Sequence, residues 1–231
     1  MEAIVLAGGK GTRLQSVVSD VPKPMAPIND KPFLYYQLQY LKNQGIKRIV
    51  LSVGYKKELI IDTFGYDFQG IELDYAIEQT PLGTGGGIQL ALKHCKNQEV
   101  FIVNGDTLFN IDLSLLKLAK KQKSAQVMMA LKHMLNFDRF GVVDLDTEHR
   151  IIAFGEKEFC AEGVFNGGIY LMEKNLLEES IFKAPFSLEQ DCFQKYITTL
   201  KIYGEVFEDY FIDIGIPQDY AKAQIDFKNK F

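Results

Sequence analysis

The feature that most constrains the fold of this chain is a regular alternation of short β-rich runs with helical patterns. Strand-like runs cover residues 3–6, 49–53, 71–77 and 100–103, and helical patterns lie between them at residues 33–42, 58–64 and 88–93. In the first helical pattern the leucines recur at helical spacing, and Gly45 follows as a stop signal. Strands that alternate with helices are typical of βαβ units, so this part of the chain predicts a mostly parallel sheet.

The pattern changes after about residue 126, where the apolar runs become shorter and little helix separates them. These runs cover residues 127–131, 141–145, 151–154 and 165–172, and they predict antiparallel or mixed strands. Helical patterns return at residues 188–196 and 219–227, with a strand at 202–207 and a short apolar stretch around Ile212. We expect an α/β fold of the Rossmann-like three-layer αβα kind, with a mostly parallel mixed sheet in one domain, residues 1–231.

Composition excludes several classes of protein. Apolar residues make up 47% and charged residues 24% of the chain, which predicts a folded globular protein. The formal charge of -4 and the lack of a basic run argue against nucleic-acid binding. No stretch approaches the roughly 20 apolar residues of a membrane span, and the first apolar run is too short for a signal peptide, so we expect a cytoplasmic protein with no membrane partner. The cysteines Cys95, Cys160 and Cys192 are odd in number and far apart, which predicts buried, reduced thiols.

A glycine-rich segment directly follows the first strand-like run. Gly8, Gly9 and Gly11 stand where backbone N–H groups can approach a ligand closely, as they do around polyphosphates. Arg13 adds a planar fork of donors that suits bidentate phosphate binding. The segment matches neither the dinucleotide motif G-x-G-x-x-G nor the P-loop G-x-x-x-x-G-K-[ST], which argues against an NAD-dependent or methyl-transferring Rossmann enzyme. A flexible turn after an edge strand is the alternative for the glycines alone.

A second cation follows on a stiff segment. Lys23 stands between Pro22 and Pro24, and each proline fixes its own φ and biases the preceding residue to extended backbone. Taken alone, this segment favours a solvated lysine in a Pro-rich turn. Beside Arg13, Lys23 is interpreted as a second cation for the same polyphosphate.

These two segments together carry a family resemblance. The run Leu6-Ala7-Gly8-Gly9-x-Gly11-Thr12-Arg13-Leu14, followed by Pro22-Lys23-Pro24, resembles the signature of the sugar-1-phosphate nucleotidylyltransferases. The resemblance continues at residues 81–86, 104–106, 156–157, 166–170 and 213–217, and so covers nearly the whole chain. It implies that the chain joins a sugar 1-phosphate to a nucleoside triphosphate and releases pyrophosphate. The nucleotide half would be at about residues 1–125 and the sugar-phosphate half at about 126–231.

The same resemblance implies roles for particular residues. The nucleotide-binding set is Leu6, Ala7, Gly8, Gly9, Gly11, Thr12, Arg13, Glu78, Gly83, Thr84 and Asn104. The catalytic set is Arg13, Lys23 and Asp106. The sugar-phosphate-binding set is Gly141, Glu156, Lys157, Asn166 and Gly168. Glu158 stands where the family often has a proline, and taken alone the charged run 156–158 would be a solvated turn.

Two aspartates are the candidate metal ligands. Asp106 follows the apolar run 100–103 and should lie just past the carboxyl end of a strand, where open α/β sheets bind ligands. Asp213 follows the apolar run 210–212. Mg²⁺ takes only one or two protein carboxylates and completes its shell with phosphate oxygens and water. Each aspartate alone favours a turn or helix-capping role over a ligand role. The resemblance assigns both to Mg²⁺.

No histidine has a serine or cysteine nearby in a catalytic motif. A sugar 1-phosphate does not require a general base, because its second pKa near ~6 leaves an anionic nucleophilic oxygen at neutral pH. The expected task of the enzyme is therefore positioning and charge stabilisation during in-line attack on the α-phosphorus.

Weaker signals concern the base and the sugar. Glu78 is acceptor-only and could take the N1–H and 2-amino donors of guanine together, which favours GTP. Residues 17–28, 51–56 and 187–191 resemble the bacterial guanylyltransferases that act on D-glycero-α-D-manno-heptose 1-phosphate. Glu189 and Asp191 are candidates for contacts beyond C6 of the sugar, although a helix-capping role suits residues 187–190 equally well.

Several alternatives stay open at this point. The sugar could be mannose 1-phosphate, or the enzyme could be a uridylyltransferase. A non-catalytic sugar-nucleotide-binding subunit would be expected to lose cations or carboxylates from the reaction centre, whereas Arg13, Lys23, Asp106 and Asp213 are all present. The sequence leaves open whether the chain forms a homodimer, whether a second metal binds, and which pathway the product enters.

Overall fold

The computed structural model describes residues 1–9, 14, 18 and 21–230, the last two of these by backbone alone. Its strands are β1 (Glu2–Leu6), β2 (Pro27–Ile28), β3 (Lys31–Pro32), β4 (Arg48–Val53), β5 (Asp67–Phe68), β6 (Ile71–Ile77), β7 (Glu99–Asn104), β8 (Thr107–Phe109), β9 (Val127–Phe137), β10 (Val143–Leu145), β11 (Ile151–Phe154), β12 (Cys160–Glu173), β13 (Ile202–Phe207) and β14 (Phe211–Asp213). Its helices are α1 (Phe33–Asn43), α2 (Lys57–Phe64), α3 (Gly83–Leu92), α4 (Leu113–Lys123) and α5 (Pro217–Lys230), with 3₁₀ turns at Lys23–Met25 and Lys174–Leu177 and a π-helix at Leu188–Gln194.

The central sheet has eight strands in the order β13-β9-β12-β7-β1-β4-β6-β5. The pairs β13–β9, β7–β1, β1–β4 and β4–β6 are parallel. The pairs β9–β12, β12–β7 and β6–β5 are antiparallel. The predicted mixed and mostly parallel sheet is confirmed, and strands from before and after residue 126 belong to it.

Side chains at alternating positions of the strands belong to two hydrophobic clusters, one on each face of the sheet. On β1, Ala3 and Val5 belong to one cluster and Ile4 to the other, because successive side chains of a strand point to opposite faces. Helices α1, α2, α4 and α5 contribute to the first cluster, and α3 and the π-helix contribute to the second. The predicted three-layer αβα arrangement is confirmed.

Helix α1 shows how local signals position the elements. Leu34, Leu38 and Leu41 are fully buried at helical spacing on the face that meets the sheet. The chain leaves the helix through Gly45, which has a φ of 77° and donates its N–H to the carbonyl of Lys42 at 2.9 Å. The predicted helix and its stop are confirmed, with the end one residue beyond the predicted Lys42.

The structure differs from the sequence prediction at two helices. Helix α4 was not predicted, although Asp112 caps it by accepting the N–H of Ser114 at 2.8 Å. Helix α3 begins at Gly83, five residues before the predicted start at 88, and so includes a run of glycines. A Cβ at Gly85 would lie 2.1 Å from the ring of Phe186, so tertiary packing accounts for the glycine where helix propensity alone disfavours it.

The cysteines are free thiols, and Cys95 and Cys192 are buried as expected. Burial raises the pKa of both thiols to about 12, so both are inert at neutral pH. Cys160 is only half-buried, which differs from the expectation, because it begins the part of β12 that extends toward the surface. Among the helices described, none has the length and apolar character needed to cross a membrane.

Candidate active site

A cavity of about 950 Å³ opens at the carboxyl ends of β1, β4, β6 and β7. This edge of an open α/β sheet is the usual place for a ligand. The cavity is lined by nine of the residues selected from the sequence, namely Leu6, Gly8, Gly9, Lys23, Glu78, Gly83, Thr84, Asn104 and Asp106. Ala7 is buried and donates its N–H to the carbonyl of Ser52 at 2.8 Å. Gly11, Thr12 and Arg13 lie outside the described residues.

The two candidate metal ligands are brought together by the β8–β14 ribbon. In this antiparallel pair Asp213 lies opposite Thr107, the residue after Asp106. The N–H of Ile214 donates to the carbonyl of Asp106 at 3.0 Å, which extends the pairing past the strand end. The ribbon therefore places two carboxylates from distant parts of the chain at one end of the cavity.

Lys23 lies between these carboxylates. Its Nζ is 2.6 Å from Oδ2 of Asp106 and 3.7 Å from Oδ1 of Asp213. The 3₁₀ turn that begins at Lys23 and the prolines on either side hold the backbone of this lysine. A Cβ at Gly215 would lie 2.7 Å from Nζ of Lys23, so a side chain at this position would displace the ammonium from where it lies.

Asp213 lies in an environment that disfavours its charged form. Burial raises the pKa of its carboxyl, the negative charge of Asp106 raises it further, and the nearby Lys23, Arg139 and Gly215 N–H only partly oppose this effect. Additional positive charge beside these two carboxylates would therefore be favourable.

Arg139 was missed as a site residue in the sequence. Its Nη2 is 3.3 Å from Oδ2 of Asp213, and its Nη1 contacts Asp219 at the start of α5. Of residues 139–141, only Gly141 was selected from the sequence, as a sugar-phosphate-binding residue. Nothing local in the sequence links Arg139 to an aspartate more than seventy positions away.

The charges around Lys23 fit a divalent cation. Three carboxylates, of Asp106, Asp213 and Asp219, face two cations, Lys23 and Arg139, so the group carries one excess negative charge. Hard oxygen donors of this kind suit Mg²⁺. Within the ranges that the structure describes, no group of three or more metal-binding side chains converges. Two carboxylates completed by substrate phosphate oxygens and water match the way in which Mg²⁺ is usually held beside nucleotides.

Gln37 holds the loop that carries Asp106, and it too was missed in the sequence. The side chain is fully buried, and its Nε2 donates to the carbonyls of Asn104 at 2.7 Å and Thr107 at 2.6 Å. Gln37 thereby joins both sides of the turn at Gly105 and Asp106. No hydrogen-bond partner for its Oε1 is found among the described residues.

Glu78 lies beneath the glycine segment. Its Oε1 accepts the hydroxyl of Ser52 at 3.1 Å, and its Oε2 accepts the N–H of Leu82 at 3.1 Å. A Cβ at Gly8 would lie 2.8 Å from Oε1, so glycine allows this close approach. Glu78 therefore organises the cavity wall, while each of its oxygens keeps a lone pair for a ligand.

Gly83 and Thr84 hold the π-helix against the cavity wall. Gly83 has a φ of 72° and packs against the backbone of Phe186, where a Cβ would lie 2.4 Å from the carbonyl oxygen. Oγ1 of Thr84 accepts the N–H of Leu188 at 3.0 Å. These two residues of the predicted nucleotide set therefore also connect the start of α3 to the π-helix.

The predicted sugar-phosphate residues fall into two groups. Gly168 packs directly against the cavity residue Asn104, since a Cβ at Gly168 would lie 2.8 Å from Nδ2 of Asn104. Oδ1 of Asn166 accepts the N–H of Gly168 at 2.9 Å, across a register shift in β12. Gly141, Glu156 and Lys157 do not line the cavity, and the latter two are exposed.

The two acids of the π-helix have different surroundings. Oε1 of Glu189 contacts Nδ2 of Asn166 and lies 3.3 Å from the hydroxyl of Tyr170. Asp191 instead accepts the N–H of Ser187 at 2.9 Å and pairs with Lys195 at 2.6 Å. Only Glu189 therefore lies beside a residue of the predicted sugar set.

Sequence comparison places these observations in a family. The model of the nucleotidyl transferase family matches residues 2–230, and the chain belongs to this family. The chain is 50% identical to D-glycero-alpha-D-manno-heptose 1-phosphate guanylyltransferase of Campylobacter jejuni, over 95% of this chain and 97% of the relative. It is 49% identical to the protein of the same description from Aneurinibacillus thermoaerophilus, over 97% of each chain.

A solved structure agrees with this assignment. HddC from Yersinia pseudotuberculosis, in complex with GMP-PN, superposes with a TM-score of 0.87 at 37% identity, over 98% of this chain and 99% of that one. The family and the fold expected from the glycine segment and the strand pattern are thus confirmed. The chain is an enzyme of the nucleotidyl transferase class.

Proposed function

We propose that this protein transfers GMP from GTP to D-glycero-α-D-manno-heptose 1-phosphate, producing GDP-heptose and pyrophosphate. The observation that carries the proposal is the meeting of Lys23, Asp106 and Asp213 at one end of the cavity, in a chain half identical to relatives that bear this name. A non-catalytic binding subunit would not need to keep these three charged groups together.

In the proposed reaction an oxygen of the sugar phosphate attacks the α-phosphorus of GTP in line with the departing group. The bond between the α-phosphorus and the bridging oxygen breaks, and its electron pair leaves with pyrophosphate. The attacking oxygen is already anionic at neutral pH, so no side chain has to remove a proton. The task of the chain is to hold the two substrates and to stabilise the charge that develops during transfer.

The residues around the cavity would share this task. The N–H groups of the glycine segment would cradle the triphosphate, and Lys23 would stabilise negative charge at the α-phosphate. We assign the same kind of role to Gly11, Thr12 and Arg13 from the sequence alone. Lys23 can move to the substrate once another cation neutralises Asp106 and Asp213, because these carboxylates are its partners in the free protein.

Asp106 and Asp213 would hold Mg²⁺. When bound, Mg²⁺ would neutralise phosphate charge and help orient the triphosphate. Both carboxylates lie next to the ammonium of Lys23, so binding of the metal and release of the lysine would be linked events. We expect Asp106→Asn and Asp213→Asn each to abolish transfer, whereas Asp62→Asn, on the exposed side of α2, should leave it unchanged.

The remaining proposed roles concern recognition of the base and the sugar, and the last proposal concerns the location and assembly of the protein. Glu78 would accept the donors of guanine through its remaining lone pairs, and Lys157 would bind the phosphate of the sugar. Glu156, Asn166 and the main chain of Gly141 would contact sugar hydroxyls. We further propose that the chain acts as a single domain in the cytoplasm, with a homodimer as one of its assembly states.

The test is a screen for pyrophosphate release with purified protein. GTP, ATP, UTP and CTP are each paired with the heptose 1-phosphate, mannose 1-phosphate and glucose 1-phosphate, with Mg²⁺ or with excess chelator. We expect GTP with the heptose 1-phosphate to give the highest kcat/KM, and chelator to stop the reaction. A higher kcat/KM with UTP would overturn the base assignment, and an equal or higher value with mannose 1-phosphate would overturn the sugar assignment.

A further inference from the structure

The start of the π-helix lies between the two predicted substrate sets. Leu188 donates its N–H to Thr84, a residue of the cavity wall, at 3.0 Å. The next residue, Glu189, is exposed and reaches Asn166, a residue of the predicted sugar set. Glu189 therefore occupies the border between the nucleotide cavity and the sugar side.

The carboxylate of Glu189 is held in one orientation by two donors. Nδ2 of Asn166 donates to Oε1 of Glu189, and the hydroxyl of Tyr170 lies 3.3 Å from the same oxygen. Nδ2 of Asn166 also donates to the hydroxyl oxygen of Tyr170 at 2.6 Å, so the three side chains form a closed network. In the part of the chain that the structure describes, no cation pairs with Glu189 and no donor contacts its Oε2.

Tyr170 is the buried member of this network. The tyrosine is buried, with 2% of its surface exposed. Burial raises the pKa of its hydroxyl well above the usual range, and the negative charges of Glu189 and Asp106 contribute to the rise. The hydroxyl therefore remains a donor at all working pH values.

We propose that Glu189 is a sugar-binding residue that accepts hydrogen bonds from hydroxyls of the sugar 1-phosphate. Tyr170 is its positioning residue, and Asn166 positions it in addition to contacting the sugar itself. This inference rests on the proposed function. A carboxylate only accepts hydrogen bonds, and the hydroxyls of a sugar are donors that match it. A carboxylate that is already fixed by neighbours loses little conformational freedom when the sugar binds.

The bonding of Asn166 strengthens this assignment. Its Nδ2 serves Tyr170 and Glu189, and its Oδ1 accepts the N–H of Gly168 at 2.9 Å. Both donor hydrogens of the amide are therefore used within the protein, and one lone pair of Oδ1 remains. Glu189, with an unpaired Oε2, offers the sugar more acceptor capacity than Asn166 does.

Asp191 supplies a matched control on the same helix. Its Oδ2 accepts the N–H of Ser187, and its Oδ1 pairs with Lys195. Asp191→Asn therefore perturbs contacts within the π-helix without touching Asn166 or Tyr170. A general weakening of the helix would appear in both variants, whereas loss of sugar binding would appear only at Glu189.

The experiment compares steady-state kinetics of wild type, Glu189→Gln, Tyr170→Phe, the double variant and Asp191→Asn. The substrates are GTP and the sugar 1-phosphate that wild type uses best. We expect Glu189→Gln to raise the KM for the sugar phosphate about tenfold, because a charge-assisted hydrogen bond is replaced by a neutral one, and to leave the KM for GTP within about twofold. Tyr170→Phe should raise the sugar KM by a smaller factor of about three, and the double variant should be no worse than Glu189→Gln alone.

The possible outcomes distinguish failure of the role proposed for Glu189 from failure of the proposed function. An unchanged sugar KM in Glu189→Gln, with wild type active, would overturn the role of Glu189 and leave the proposed function intact. Equal losses in Asp191→Asn and Glu189→Gln would also overturn it, because both would then act through the helix. Failure of wild type to use any sugar 1-phosphate with GTP would overturn the proposed function and this inference together.

Discussion

Replacing Gln37 by leucine would test how the loop that carries Asp106 is held. In the native protein the amide of Gln37 donates to two main-chain carbonyls, those of Asn104 and Thr107. Leucine has a similar volume and no donor, so Gln37→Leu leaves both carbonyls without this partner while the helix packing changes little. The loop between them would lose its cross-link, and Asp106 would lose its fixed position.

The expected cost follows from these contacts. Each buried carbonyl that loses its donor costs about 1–3 kcal/mol, or about 2–6 kcal/mol for the pair. The substitution also removes Oε1 of Gln37, a buried acceptor with no partner among the described residues, which returns about 1–3 kcal/mol. We therefore expect the free energy of unfolding to fall by about 1–3 kcal/mol.

Two measurements test the effect of Gln37→Leu on stability and on Asp106. Urea denaturation gives the loss in the free energy of unfolding, and the rate of pyrophosphate release as a function of Mg²⁺ concentration gives the effect on Asp106. We expect a higher Mg²⁺ concentration at half-maximal rate, measured well below the melting temperature. Gln39→Leu is the control, because Gln39 lies on the same helix and its side chain donates to the exposed Asn43.

A Gln37→Leu variant that is destabilised but keeps the wild-type Mg²⁺ requirement would show that Gln37 supports the fold and does not position Asp106. A variant with unchanged stability would contradict the hydrogen-bond reasoning itself.

Three further outcomes are expected. Lys23→Ala should lower turnover by ~10²–10³-fold with the fold retained, because one preorganised cation is lost; turnover near that of wild type would refute its role. Gly85→Ala should lower the free energy of unfolding by about 1–3 kcal/mol or more, because the new Cβ would lie 2.1 Å from the ring of Phe186; an unchanged melting temperature would contradict this. Asp74 pairs with Arg48 at 2.6 Å. Burial raises the pKa of the Asp74 carboxyl, but the Tyr75 N–H, His94 and Arg48 lower it by more, so the pKa lies below its ordinary value. Asp74→Asn should therefore cost about 1 kcal/mol at pH 7, a difference that disappears as the pH falls below the ordinary value of 3.8; a constant difference down to acid pH would disprove the pairing.

Local patterns predicted most of the fold because they report local physics. The leucine spacing of α1 and its glycine stop depend on residues within a few turns of one another, and the structure agrees with both. Helix α4 had comparable signals, an aspartate cap and buried Leu113 and Leu116, which could have been found by the same reasoning. The early start of α3 could not be predicted from local patterns, because it depends on Phe186 packing against Gly85 from a distant segment.

The residues of the candidate site also divide into those that sequence patterns identified and those that they missed. Asp106 was selected because it follows a strand and Lys23 because two prolines flank it, and the structure brings the two side chains into contact. Arg139 and Gln37 act on the site through contacts with residues far away in sequence, and no periodicity or spacing marks such contacts. The roles of the nucleotide and sugar residues remain predictions, and those of Gly11, Thr12 and Arg13 rest on the sequence alone.

If Asp213 holds the metal as proposed, transfer depends on the pairing of β14 with β8 and therefore on folding of the C-terminal part of the chain. A segment that contains the glycine loop and Asp106 has most of the cavity, but the second carboxylate arrives only when β14 docks onto β8. A partly folded chain could thus hold GTP without being able to use it. Recovery of transfer activity during refolding would time the docking of β14, and it should lag behind the recovery of nucleotide binding.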